Sequence, residues 1–466
     1  MVTSVCVDSR LVTPGALFFA LSGEHTDGHR YVAQALKAGA VAAVVEAIEG
    51  DALEEIGKEG MEGAQIVVPA TLRALGDLAR HYRHQFAIPI IGVTGSVGKT
   101  STKEMIAAVL RTGYVTLASA KNYNNEIGVP LTLFNLENTH QAAVVEMGMR
   151  GAGEIDYLAG IAQPTIGVIT NTGYAHIERL GTLENIARAK AELFARLPHD
   201  GAAIFAEHNW PIITQQIPEG CRKITFAMGS SEDFVPVSIV PGSLQIRENG
   251  AAAFDVEIAP VNTEFSIKLP VQYSITLLTP GAHHVPNALT ALAVAYALEI
   301  PMENAISALE TWKGAEGRMV VRHTFDDIIV LDDCYNASPE SMAAALDTLF
   351  HMAPNGVAVL GDMRELGDFA ESTHREIGSR LLLSSTRLLV TIGPLAGHIA
   401  DVVEAANSAR ETFGSVIRFA NAAEALDHIN TLVKPGDTVL VKGSRAMGME
   451  ILVNALTGEQ GSDPHA

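Results

Sequence analysis

The chain has 466 residues, which at the usual domain size suggests roughly three domains. Its formal net charge of −21 excludes a general polyanion binder, so no nucleic-acid partner is expected, although small phosphorylated ligands need only a local pocket. A hydrophobic fraction of 48% with 18% charged residues fits a soluble globular protein and not a disordered one.

Short β-branched runs alternate with longer amphipathic segments, and no internal repeat or low-complexity tract interrupts them. The pattern predicts an α/β protein with mainly parallel sheets. Residues 1–84 read as a small α/β unit. Strands are expected at Leu17–Leu21, Val41–Glu46 and Gln65–Pro69, and helices at Arg30–Gly39 and Thr71–Gln85. His81, Arg83 and His84 close the second helix, where cations suit the helix dipole.

Residues 85–313 read as a central unit. Its predicted strands are Ile88–Val93, Ala142–Glu146, Thr165–Thr170 and Ala202–Ala206, each followed by a helical stretch. From about residue 222 to 280 the pattern becomes strand-like alternation, as at Phe254–Ile258 and Phe265–Leu269, which predicts an antiparallel meander on the parallel sheet. Ala288–Leu298 and Ala305–Trp312 read as helices. A break at Lys313–Gly317 opens a third unit, 314–466. Ile328–Leu331, Val357–Leu360, Leu388–Ile392 and Thr438–Val441 predict a second doubly wound, Rossmann-like sheet there, without a G-x-G-x-x-G dinucleotide fingerprint.

Cys6, Cys221 and Cys334 have neither disulfide-framework nor zinc-ligand spacing and read as reduced thiols. No apolar run is long enough to span a membrane, and the N-terminus lacks the marks of a signal peptide. A cytoplasmic location is therefore expected. The tail Gly458–Ala466 is expected to fray.

The strongest local signal is Ile90-Ile91-Gly92-Val93-Thr94-Gly95-Ser96-Val97-Gly98-Lys99-Thr100. A buried strand enters a glycine-rich turn and then a helix, so backbone N–H groups and the helix N-terminus can cradle a phosphate. Lys99 would reach the β- and γ-phosphates, and the Thr100 hydroxyl would meet Mg2+. The strict form G-x-x-x-x-G-K-S/T is not met, because Val93 stands where its first glycine would be. An ordinary glycine-rich turn is the competing reading, and it leaves the Lys-Thr pair and the following helix unexplained. A phosphate loop alone still leaves ATPase, GTPase, kinase and ligase open.

Glu146 ends a predicted buried strand, and His176 follows another in Thr170-Asn171-Thr172-Gly173-Tyr174-Ala175-His176. Ligands of open α/β sheets gather at such strand ends, so both are metal-ligand candidates; taken singly, each is more often a loop residue. Lys190, in Ala187-Arg188-Ala189-Lys190-Ala191-Glu192, reads from its pattern alone as a solvated helix residue.

With these residues the chain resembles the ATP-dependent Mur ligases that build the bacterial peptidoglycan precursor. The resemblance runs in order across nearly the whole length. Residues Val7-Asp8-Ser9-Arg10, Pro14–Gly23 and Asp27-Gly28-His29 are similar to the family's UDP-sugar site. They point to Ser9, Arg10, Ser22, Gly23, Asp27, Gly28 and His29, with Arg10 suited to a diphosphate. Members of the family usually carry a longer stretch before the D-S-R element.

The phosphate loop matches the family form, including the missing glycine. The resemblance implies that Thr94, Gly95, Ser96, Val97, Gly98, Lys99, Thr100 and Ser101 bind ATP. Lys121–Thr132 matches a further stretch, with Asn125 as its ATP-site member. Glu146 and His176 align with metal ligands, and Lys190 with a lysine that is carbamylated in the family, replacing the solvated reading. Two Mg2+ ions held by Thr100, Glu146, His176 and carbamylated Lys190 are thereby implied. Ala282-His283-His284-Val285-Pro286-Asn287 resembles a stretch near adenine; Asn287 carries over and the role of His284 stays open.

In the third unit, Arg318 is expected at the ATP phosphates. Asp332-Asp333-Cys334-Tyr335-Asn336-Ala337-Ser338-Pro339-Glu340-Ser341-Met342 resembles the signature of the D-alanyl-D-alanine-adding branch. It implies Asp333 at the ribose and Tyr335 and Asn336 beside the nucleotide. The same run also reads as a turn that caps a helix at Ser338. Gly361–Gly367 and Val441–Arg445 are expected to face the incoming dipeptide, with Lys442 and Ser444 on that side.

The function implied is ligation of D-alanyl-D-alanine to UDP-N-acetylmuramoyl-tripeptide through an acyl phosphate, by a monomer. Lys99, His176, Lys190 and Arg318 are its implied catalytic residues. The rivals are a Mur-type ligase for another amino acid and a P-loop nucleotide switch, which would need neither a carbamylated lysine nor a peptide site.

Overall fold

The computed structural model describes residues 2–23, 26–48, 64–120, 122–207, 211–229, 235–260, 269–410 and 414–458. Three sheets organise them. The first is four-stranded and parallel, in the order Ser4–Cys6, Ala16–Phe19, Ala42–Val45, Ala64–Val67. Its two middle strands are buried throughout, which accounts for their continuous apolar runs. Phe18 packs on Val32 and Leu36 on one face, and Leu17, Phe19 and Val44 meet Leu75 on the other.

Leu75 belongs to the helix Thr71–Arg83, which the first two units share: four residues on, Ala79 enters the core of the central unit. Arg83 is buried, and its guanidinium donates to the carbonyls of Phe86, Ala162 and Gln163. The cation expected merely to suit the helix dipole thus joins that helix to the central unit.

Among the described residues the central sheet has ten strands. From one edge they run Thr116–Ala118, Ala142–Glu146, Ile90–Thr94, Ile166–Ile169, Ala202–Ala206, Arg222–Ala227 and Val237–Ile239, all parallel. Ala251–Ile258 then pairs antiparallel with Val237–Ile239, Gln245–Ile246 and Val271–Pro280. The antiparallel section expected between 222 and 280 therefore begins later, and its first two strands continue the parallel sheet. Alternation identifies a strand but not its direction, which the connections decide. The expected strand residues Phe265–Lys268, like Lys121 and the tail beyond Gly458, lie outside the described residues.

Ile90–Thr94 sits where the chain reverses its progress across the sheet, the position at which open α/β sheets form a crevice. Helices Lys99–Leu110, Val285–Ala297 and Met302–Glu310 cover one face. Glu154–Ala162 and Leu183–Ala195 cover the other.

The third sheet runs Val320–His323, Ile329–Asp333, Thr438–Lys442, Val357–Gly361, Leu388–Ile392, Ser415–Phe419, with only the first strand antiparallel. Helices pack on both of its faces. Among the described residues no helix is long and apolar enough to cross a membrane.

Candidate active site

The phosphate loop leaves the strand Ile90–Thr94 and enters the helix Lys99–Leu110 through Gly98, whose φ of +81° favours glycine. Space demands the same residue types. A Cβ at Gly95 would collide with Thr170 Oγ1, and one at Gly98 would lie 2.7 Å from Asn287 Oδ1. Lys99 Nζ donates to the carbonyls of Gly95 at 2.7 Å and Ser96 at 3.3 Å, so it folds over its own loop. Burial holds its pKa below the ordinary lysine value, with opposing pulls from Glu146 and Glu365. The Thr94 hydroxyl is buried without a partner among the described residues, and Ser101 is buried in the first helical turn.

Glu146 ends its strand beside Val93, the residue before Thr94. Its backbone N–H donates to Ser119 Oγ, and Asn124 Nδ2 donates to its Oε1 at 2.8 Å. Its Oε2 is buried without a partner among the described residues. Of the two adjacent asparagines, then, Asn124 meets the carboxylate. Asn125 is exposed, and its Oδ1 accepts from the N–H groups of Ile127 and Gly128, capping the next helix. The sequence reading passed over Asn124 because both sit in one polar turn; only the turn's conformation separates them.

The loop after Ile166–Ile169 is tied to the phosphate loop. Asn171 Oδ1 accepts from Val97 N–H, and Thr170 Oγ1 and Asn171 Nδ2 donate to the Val97 carbonyl. Ser96 Oγ both donates to the Gly173 carbonyl and accepts from its N–H. His176 follows, with a left-handed φ of +66°. Its Nδ1 is 2.8 Å from Glu365 Oε2, and this contact holds the Glu365 carboxyl below its ordinary pKa, with help from Arg150 and Arg179.

Lys190 lies in the helix Leu183–Ala195, which Thr182 caps through Asn185 N–H. The Ala-rich face of that helix lies close on the sheet, so the Lys190 side chain is entirely enclosed. Its Nζ has no partner among the described residues. Burial, and then the charge of Lys99, push its pKa well below 10.5.

From the third unit, Arg318 reaches across to donate from Nη2 to Thr100 Oγ1 at 3.2 Å, with its guanidinium 4.2 Å from the Tyr335 ring centre. Arg445 lies on the same ring at 5.5 Å. Asp333 Oδ2 accepts from Lys442 Nζ at 2.6 Å, and Lys442 also donates to the Asn336 carbonyl. Lys442, expected on the dipeptide side, is buried and bonded to two of the expected nucleotide residues. Ser444 is buried too: its Oγ accepts from Arg364 N–H and its own N–H donates to the Asp362 carbonyl. Ser338 caps the helix Pro339–Met352 in a capping box with Ser341.

On the far side of the phosphate loop, Asn287 Oδ1 accepts from Thr102 Oγ1 at 3.1 Å. His284 is buried with neither ring nitrogen partnered among the described residues; its ring lies tilted against His283 and edge-on to Trp312.

In the first unit, Asp27 organises a compact turn. Its Oδ1 accepts from Ser22 Oγ and from His29 N–H, and lies 2.7 Å from His29 Nδ1. His29 Nε2 accepts from Glu46 N–H, so the proton of that ring sits on Nδ1. Gly28 is needed for close approach, since a Cβ would lie 2.6 Å from Leu21 N. Gly23 N–H donates to the Thr26 carbonyl. Ser9 Oγ donates to Gln34 Oε1, and Asp8 holds the exposed Arg10 through both carboxylate oxygens.

Three family models match the chain: Mur ligase family, catalytic domain, over residues 1–83; Mur ligase middle domain over 93–295; and Mur ligase, glutamate ligase domain, over 317–445. Similar curated proteins named UDP-N-acetylmuramoyl-tripeptide–D-alanyl-D-alanine ligase come from Synechocystis sp. and Bacillus subtilis. The first is 36% identical over 98% of this chain and 92% of its own, the second 34% over 98% and 93%. Among solved structures, MurF from Acinetobacter baumannii is similar with a TM-score of 0.83 and 31% identity, covering 98% of this chain and 94% of the other. MurF from Thermotoga maritima in complex with ADP is similar with a TM-score of 0.79 and 26% identity, covering 98% and 97%.

Proposed function

The chain belongs to the Mur ligase family, and from that premise we infer that it joins D-alanyl-D-alanine to UDP-N-acetylmuramoyl-tripeptide at the expense of ATP. It is an ADP-forming amide ligase of peptidoglycan-precursor synthesis. The observation that carries the reading is the Arg318–Thr100 contact: a guanidinium from the third unit rests on the phosphate-loop threonine. It supports one catalytic centre assembled from two units, as transfer between two anions requires.

We assign residues 1–84 to the uridine nucleotide, 85–313 to ATP and 314–466 to the amine substrate. The terminal carboxylate of the tripeptide attacks the γ-phosphorus of ATP, and ADP departs. The dipeptide amine then attacks the acyl phosphate, and the tetrahedral adduct expels inorganic phosphate. Charge neutralisation dominates such chemistry. Lys99 turns from the Gly95 and Ser96 carbonyls onto the phosphates, and Arg318 supplies a second cation. Asp333, held by Lys442, presents its carboxylate to the ribose. Tyr335 stacks under Arg318 and keeps it aimed. Asn287 stands beside the base.

The family implies two Mg2+ ions and a carbamate on Lys190, and the local chemistry fits both. Burial without a partner pushes this amine toward its neutral, nucleophilic form. It adds to CO2 with loss of a proton, forming an N–C bond. The carbamate replaces an unpartnered donor by two acceptor oxygens. Glu146 Oε2 is likewise buried with capacity to spare. Thr100, Glu146, His176 and carbamylated Lys190 would hold the ions, whose chemistry is neutralisation of charge on the phosphate oxygens. We also propose a monomer, and the use of ATP supports a cytoplasmic setting.

The test is ADP release by the purified protein with each substrate omitted in turn. Release should require both the UDP-tripeptide and D-alanyl-D-alanine. Equal release without either would contradict the ligase reading.

A further inference from the structure

The loop that carries His176 is gripped from two sides. On one side Ser96 and Val97 of the phosphate loop bond to Thr170, Asn171 and Gly173. On the other, two carboxylates of the third unit reach it. Glu340 Oε1 accepts from Tyr174 N–H at 2.8 Å, and Glu365 Oε2 lies 2.8 Å from His176 Nδ1.

The local backbone is shaped for this. Gly173 has no Cβ, and one there would lie 2.7 Å from Glu340 Oε1. His176 and Glu365 both hold left-handed φ values, +66° and +64°, which non-glycine residues keep only where their surroundings enforce them. Gly367, two residues past Glu365, packs on Glu178, two residues past His176.

Resting on the ligase reading, we propose that Glu340 and Glu365 are positioning residues that lock the third unit onto the 173–176 loop. That loop thereby couples occupancy of the phosphate loop to closure of the unit that brings the amine. The coupling is reciprocal: whatever orders the loop through Ser96 and Val97 favours the closed arrangement, and closure favours the nucleotide. Neither carboxylate needs to touch a reacting atom. Glu340 Oε2 is buried without a partner among the described residues, so Glu340→Gln keeps the Oε1 acceptor for Tyr174 N–H and replaces only the partnerless oxygen.

The experiment follows compaction by small-angle X-ray scattering during titration with a non-hydrolysable ATP analogue and Mg2+, without dipeptide. Wild type should compact as the analogue binds. Glu340→Ala combined with Glu365→Ala should need about tenfold more analogue to reach the same compact fraction. Glu340→Gln should follow wild type. Gly173→Ala, which pushes the Glu340 carboxylate aside, should shift in the same direction as Glu340→Ala, and it serves if the double variant fails to fold. The proposal is overturned if the alanine variants compact at the wild-type analogue concentration, or if Glu340→Gln behaves as Glu340→Ala. Dipeptide-dependent ADP release by wild type is measured separately. Its absence would sink the ligase reading and leave the closure result standing.

Discussion

Lys442 and Lys190 are both enclosed by the fold, and their surroundings are opposite. Lys442 ends the strand Thr438–Lys442 with its Nζ on Asp333 Oδ2 and the Asn336 carbonyl. Lys190 sits mid-helix with no partner among the described residues, and Lys99 is the charge that acts on it. A paired buried cation fixes geometry, here that of the expected ribose acceptor. An unpartnered buried amine is pushed toward its neutral form by desolvation and is free for chemistry. Burial alone therefore does not assign a lysine its role; the acceptors within reach do.

The largest expected effect is on activity. Lys190→Ala should lower dipeptide-dependent ADP release by a hundredfold or more, roughly the loss of one preorganised charge-stabilising group. Excess bicarbonate should not restore the variant. Full activity would erase the contrast between the two lysines.

Next comes stability. Lys442→Met leaves the Asp333 carboxylate enclosed and unpaired, and should cost about 3–5 kcal/mol in urea unfolding. Adding Asp333→Asn should recover a large part of that loss, while nucleotide binding stays weak. A Lys442→Met variant as stable as wild type would mean that the ion pair does not hold the third unit's site.

The smallest effect is a pH slope. Lys190 titrates well below its ordinary 10.5 in the folded chain, so the unfolded chain binds more protons in the window between the two values. Stability in CO2-free buffer should rise with pH across that window up to about 10.5, and level off below the folded value, where both states hold the proton. Lys190→Met should flatten that slope, which denaturant melts across the window would read.

Much of this was legible in the sequence because its signals are local. The residues Ile90–Thr100 announce a strand, a glycine turn and a helix that begins at Lys99, and Ser338-Pro339-Glu340-Ser341 announces a capped helix. The enclosure of Lys190 was not legible from pattern. Its neighbours Arg188 and Glu192 look solvated, and only the close seating of an alanine-rich helix encloses the lysine between them. Asn124 and Asn125 are chemically alike, and the turn alone decides which meets Glu146. The ion pair of Lys442 with Asp333 was not legible either, because only the pairing of two strands more than 100 residues apart sets them side by side. Glu340 and Glu365 gain their meaning from a loop more than 150 residues earlier in the chain, and no local pattern carries such a contact.

The most direct measurement is the 13C NMR spectrum of the protein equilibrated with 13C-bicarbonate. A carbamate carbon resonance should appear in wild type and be missing from Lys190→Ala. An active wild-type protein with no such resonance, or a resonance that persists in Lys190→Ala, would contradict the assignment of the enclosed, partnerless amine as the modified residue.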